Sequence, residues 1–168
     1  MTTKPTFDYD NAFIRKILEE TKNIAMVGAS AKWVRPSNFA MKYLLGKGYR
    51  VIPVNPGSAG TEILGQMTYA SLADIPGSID MVDIFQASEK VGPIVDEAIR
   101  LKDEKGIKFV WMQLGVINED AAEKAEQAGL TVVMDRCPKI EYGRLFSELS
   151  WAGVNTGVIS SKRPTVRR

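Results

Sequence analysis

The sequence predicts a three-layer α/β fold: one five-stranded parallel sheet with helices on both faces. Three observations predict it. Five short runs rich in valine and isoleucine are apolar on consecutive positions, as in strands covered on both sides. Segments of helical period, amphipathic or rich in alanine, alternate with those runs, which implies right-handed crossovers between parallel neighbours. The length of 168 residues suits a single α/β domain, and 45% apolar with 25% charged residues is an ordinary globular balance.

The elements follow in order. Phe13, Ile14, Ile17 and Leu18 form a helical stripe ahead of the first strand, Asn23–Val27. Phe39, Tyr43 and Leu44 mark the next helix, which Gly46 and Gly48 stop before the second strand, Arg50–Val54. A third strand is expected over 80–85. After it, Ile94, Val95, Ala98, Ile99 and Leu101 form a helix ending near Gly106. The fourth strand covers 108–114. The following helix has Asn118 as N-cap, Glu119 and Asp120 in its first turn, four alanines, and Gly129 as its stop. The fifth strand covers 131–134, and a last helix begins at Pro138. Residues 1–157 read as one domain and 158–168 as a basic tail. That tail is read either as a frayed, solvated end or as an arm touching a ligand phosphate or a partner.

Several functions are excluded or disfavoured. A single cysteine and no histidine rule out a disulfide framework, a Cys/His metal cluster and a Ser-His triad. With 22 basic and 20 acidic residues, the net charge of +2 does not point to nucleic acid. No signal peptide and no run of ~20 apolar residues is visible, so the expected location is cytoplasmic, with no membrane partner.

Ligands of such sheets bind beyond the carboxyl ends of the strands, so candidate site residues belong at the strand ends. The first ends in Gly28-Ala29-Ser30, with Arg35, Ser37 and Asn38 leading into a helix. Gly28 permits a tight turn, and small neighbours let a ligand approach the backbone. Ser37 or Asn38 is expected to cap the helix, whose positive end favours a phosphate, and Arg35 offers a planar fork to phosphate oxygens. The alternative is an ordinary loop with an N-cap and a surface arginine. Neither G-x-G-x-x-G nor a P-loop motif is present.

The second strand ends in Asn55-Pro56-Gly57, where a nicotinamide dinucleotide site would usually place Asp or Glu for the ribose; turn chemistry is the competing role. At the third strand end Phe85 serves either a ligand or the core, and Gln86 or Ser88 is expected to cap the next helix. Gln113, polar within an apolar run, must find partners in a ligand or in backbone. Cys137, just before a helix start, is either a reactive thiol or a small buried apolar residue.

Together, Val27-Gly28-Ala29-Ser30, Arg35-Pro36-Ser37, Val54-Asn55-Pro56, Val82-Asp83-Ile84-Phe85, Trp111-Met112-Gln113-Leu114-Gly115 and Asp135-Arg136-Cys137-Pro138 resemble the small bacterial CoA-binding domain proteins. These are single-domain relatives of the CoA-binding domain of succinyl-CoA synthetase α-subunits. The resemblance spans roughly residues 10–148. It implies a Rossmann-like fold with coenzyme A, or an acyl-CoA, across the strand ends. Gly28, Ala29, Ser30, Arg35 and Ser37 would hold the phosphates. Asn55, Pro56, Phe85 and Gln86 would line the nucleotide and pantetheine, with Gln113 and Cys137 further along the cleft. The synthetases carry a phosphohistidine in a second domain, and this chain lacks both, so ligation is not implied. The expected function is therefore CoA binding without catalysis. Thiol, acyl-transfer or redox chemistry at Cys137 is the first alternative, and an NAD(P)-dependent reductase the second.

Overall fold

A computed structural model describes residues 8–146. The expected tail at 158–168 lies outside the described residues. The five expected strands form one parallel sheet: β1 (Asn23–Val27), β2 (Arg50–Val54), β5 (Met81–Ile84), β6 (Phe109–Met112) and β7 (Thr131–Val133). They lie in the order β2-β1-β5-β6-β7. A small antiparallel hairpin, β3 (Glu62–Ile63) and β4 (Gln66–Met67), interrupts the connection from β2 to β5. No strand there was expected from the sequence.

Helices α1 (Asn11–Glu20), α2 (Pro36–Gly46) and α6 (Pro138–Leu145) cover one face. Helices α3 (Val91–Arg100), the single turn α4 (Lys102–Lys105) and α5 (Glu119–Gln127) follow the strands on the other side, and α3 and α5 cover the second face. Alternation along each strand decides the layers. In β1, Ile24 and Met26 join the core under α1 and α2, while Ala25 and Val27 join the core under α3 and α5. In α5 the small Ala121, Ala122 and Ala125 are buried, which lets the helix approach the sheet closely.

The caps depart from expectation in two places. Asn118 caps α5 through Ala121 N–H at 3.0 Å, as its sequence predicts. Neither Ser37 nor Asn38 caps α2. That helix starts at Pro36 after an extended Arg35, and Asn38 instead donates its amide to the Ser30 carbonyl at 2.9 Å. Neither Gln86 nor Ser88 caps α3: Ser88 lies in a short 3-10 turn, and its hydroxyl accepts from Ile117 N–H at 3.0 Å. Asn38 thus ties the first turn of α2 to the loop after β1, and Ser88 ties the loops after β5 and β6 together. Among the described residues no helix is long and apolar enough to cross a membrane.

Candidate functional site

The strand order reverses between β1 and β5, where one crossover runs left to β2 and the other right to β6. Such a switch point leaves a crevice outside the carboxyl ends of its two central strands. A cleft of about 820 Å³ opens there, within the usual range for small-molecule sites.

Its floor is Gly28. The residue has φ +90°, and a Cβ placed on it would stand 2.1 Å from the Phe85 carbonyl oxygen. Glycine is required because the β1 and β5 backbones meet here, with Phe85 N–H donating to Val27 O at 2.8 Å. This close approach, more than approach to a ligand, accounts for the glycine.

Asn55 forms a second wall. Its amide donates to the Ala29 carbonyl at 2.9 Å, and its carbonyl accepts from Gly57 N–H at 2.9 Å. An aspartate could accept but not donate, so a neutral amide braces the loops after β1 and β2 against each other. The turn reading and the cleft reading of Asn55 thus hold together: it does the first and lines the second. Phe85 does likewise, packing against the core on the α1 face while lining the cleft.

The far wall comes from β6 and the start of α6. Gln113 is 8% exposed, and its Oε1 has no hydrogen-bond partner. The Arg136 amide donates to Met112 O at 3.3 Å, and the Trp111 indole donates to Arg136 O at 2.8 Å. These bonds set Cys137, the residue before α6, against the same wall. Asp135, at φ +60°, accepts from Gly115 N–H at 2.7 Å and so fixes the loop on the other side.

Of the eleven residues singled out in the sequence, Gly28, Ser30, Arg35, Ser37, Asn55, Phe85, Gln86, Gln113 and Cys137 line this cleft. Ala29 does not: it is buried in the core beneath α2. Pro56 does not either; it opens a 3-10 turn and is exposed. Lining residues not selected from the sequence include Phe39, Leu114 and Ile140, all exposed, and the cation Lys139. Of the expected stripe Phe39, Tyr43 and Leu44, α2 buries Leu44 together with Ala40 and Met41 and leaves Phe39 exposed.

The charge of the cleft is one-sided. Lys32, Arg35 and Lys139 line it, and no Asp or Glu does. None of the three forms an ion pair among the described residues. The positive end of α2 also faces it through Pro36 and Ser37. Arg136, next to Cys137 in sequence, lies with its guanidinium 5.2 Å from the Tyr9 ring centre.

Fold and cleft define a Rossmann-like α/β protein with an electropositive cleft at the switch point of its sheet. The chain belongs to the CoA binding domain family, whose model matches residues 22–143. The Bacillus subtilis (strain 168) protein YneT is 37% identical over 131 residues, covering 78% of this chain and 93% of that protein. A solved structure from Pyrococcus horikoshii OT3 is 42% identical with a TM-score of 0.78, covering 88% of this chain and 99% of that one. The alpha subunit of an ADP-forming acetate–CoA ligase from Pyrococcus furiosus is 33% identical over 93 residues, which make up 53% of this chain but 19% of the subunit.

Proposed function

We propose that the cleft binds coenzyme A or an acyl-CoA, and that the chain is a binding module without catalysis of its own. The observation that carries this reading is the gathering of three cations, none ion-paired among the described residues, and the α2 N-terminus around one cleft with no acidic side chain. A ligand with several phosphates and a long, weakly polar arm matches that wall. Arg35 and Lys32 take phosphate oxygens, Phe85 and Gln86 lie along the nucleotide or pantetheine, and Gln113 accepts from an amide N–H of the arm. The family membership supports the choice of CoA over other nucleotides. A nicotinamide dinucleotide fits less well, because the end of β2 offers Asn55, whose amide is already engaged on both sides.

The test is a thermal-shift series under reducing conditions with CoA, acetyl-CoA, dephospho-CoA and NAD. CoA at a hundredfold excess over Kd adds about 2.7 kcal/mol of stability, a rise of roughly 5–10 °C for a domain of this size. Arg35→Ala is expected to weaken CoA binding about 10–100-fold, the worth of a charge-assisted hydrogen bond. No shift with any CoA species, or an equal shift with NAD, would overturn the reading.

A further inference from the structure

Cys137 is the only cysteine of the chain. It is 7% exposed, yet it lines the cleft, so what remains accessible of it opens toward the ligand. Gln113 stands on the same wall, more than nine-tenths buried, with an Oε1 that no protein donor satisfies. A buried amide oxygen without a partner marks where a ligand donor belongs. It places the polar end of a ligand arm beside the thiol. Lys139, two residues on, puts a cation in the same cleft.

We propose that Cys137 is a covalent capture site for the ligand's own sulfur, forming a mixed disulfide with the pantetheine thiol through exchange with CoA disulfide. This inference rests on the CoA reading above. The Cys137 thiol loses its proton to solvent, and the thiolate Sγ attacks the nearer sulfur of CoA disulfide. A new Sγ–S bond forms as the original S–S bond breaks. The second CoA leaves as a thiolate and takes up a proton. CoA disulfide is the only oxidant, so one disulfide is consumed and one is made.

The cleft gives the reaction its selectivity. A disulfide carrying a CoA half is held at the thiol by the same contacts that hold CoA, and attack becomes effectively intramolecular. A disulfide without the nucleotide must reach a buried cysteine from bulk solution. The adduct would hold CoA on the protein under oxidising conditions and release it when a reductant returns.

The single cysteine makes the experiment direct, since any disulfide adduct on the intact chain lies at Cys137. Reduced, desalted protein is mixed with CoA disulfide or with glutathione disulfide, and adduct formation is followed by intact mass with time. The expected result is CoA labelling at least about tenfold faster than glutathione labelling. The preference should be lost in denaturant, and a thiol-free CoA analogue should slow the CoA reaction. Equal rates for the two disulfides in the native protein would overturn the inference, as would no CoA adduct where the unfolded chain reacts. A CoA thermal shift under reducing conditions, measured on the same sample, separates the two failures. A shift without selective labelling removes the covalent step alone; no shift removes the CoA reading with it.

Discussion

Replacing Asp83 with valine should make the protein more stable. Asp83 lies in the middle of β5, in register with Met26 of β1 and Trp111 of β6. All three stand in the core beneath α1 and α6, and Asp83 is fully buried. Neither of its carboxyl oxygens has a hydrogen-bond partner. Burial therefore pushes its pKa well above the usual carboxylate range, and no neighbouring cation counters that.

The pH dependence follows from that direction. The folded state holds a proton that the unfolded chain releases from about pH 4 upward. Over that window the folded form binds more protons, so stability falls as pH rises until it reaches the raised pKa. Even in its neutral form, a buried carboxyl without partners costs about 1–3 kcal/mol. Valine suits a strand, is of similar size, and carries no polar atom. Asp83→Val should therefore gain about 1–3 kcal/mol at neutral pH, with each kcal/mol worth about 2–4 °C in Tm. It should also flatten the stability profile above pH 4. Urea melts of both proteins from pH 4 to 9 would measure both effects. A valine variant less stable than the parent, with an unchanged pH profile, would show that the carboxyl has a partner in solution and would refute the argument.

Two further substitutions test the backbone of the fold. Gly28→Ala should cost about 2–4 kcal/mol, because its Cβ would meet the Phe85 carbonyl at 2.1 Å; an unfolding curve matching the parent would contradict the close approach of β1 and β5. Leu64→Asn should gain about 1 kcal/mol, because Leu64 occupies the left-handed region at φ +50° in the two-residue turn of β3–β4 while half exposed, and Asn-Gly suits that turn. A lower Tm for this variant would mean that the leucine packs more productively than its exposure indicates.

How much of this was legible depended on what each signal could encode. The five strands were legible because each is sealed on both faces and so reads as a continuous apolar run. The expected ranges 80–85 and 108–114 exceed the strands at both ends, because Phe85 and Leu114 keep the sequence apolar beyond β5 and β6 where the strands part at the cleft. The β3–β4 hairpin was not legible: its strands have two residues each, too few for any period, and only Leu64-Gly65 marked the turn. Phe39 was misplaced because α2 carries apolar residues on two sides, and the helical period alone does not say which side meets the sheet. Ala29 was misplaced by a break in parity. Gly28, at φ +90°, breaks the alternation of β1, so Ala29 joins the core under α2, opposite to Val27, while Gly28 and Ser30 reach the cleft.

Position along the strand separates two polar residues that look alike in the sequence. Asp83 in Val82-Asp83-Ile84-Phe85 and Gln113 in Trp111-Met112-Gln113-Leu114 each interrupt an apolar run, and each is buried with an unsatisfied oxygen. Both stand on the α1–α6 side of the sheet. Asp83 lies inside its strand, where Met26, Trp111 and the helices above close it off. Gln113 lies one residue past the end of β6, on the wall of the cleft. A ligand entering the cleft reaches Gln113 and supplies its missing donor, but it does not reach Asp83. Occupying the site should therefore offset the cost at Gln113 and leave the cost at Asp83 unchanged. Ligand stabilisation and the gain from Asp83→Val should then add, because the two polar groups share no partner.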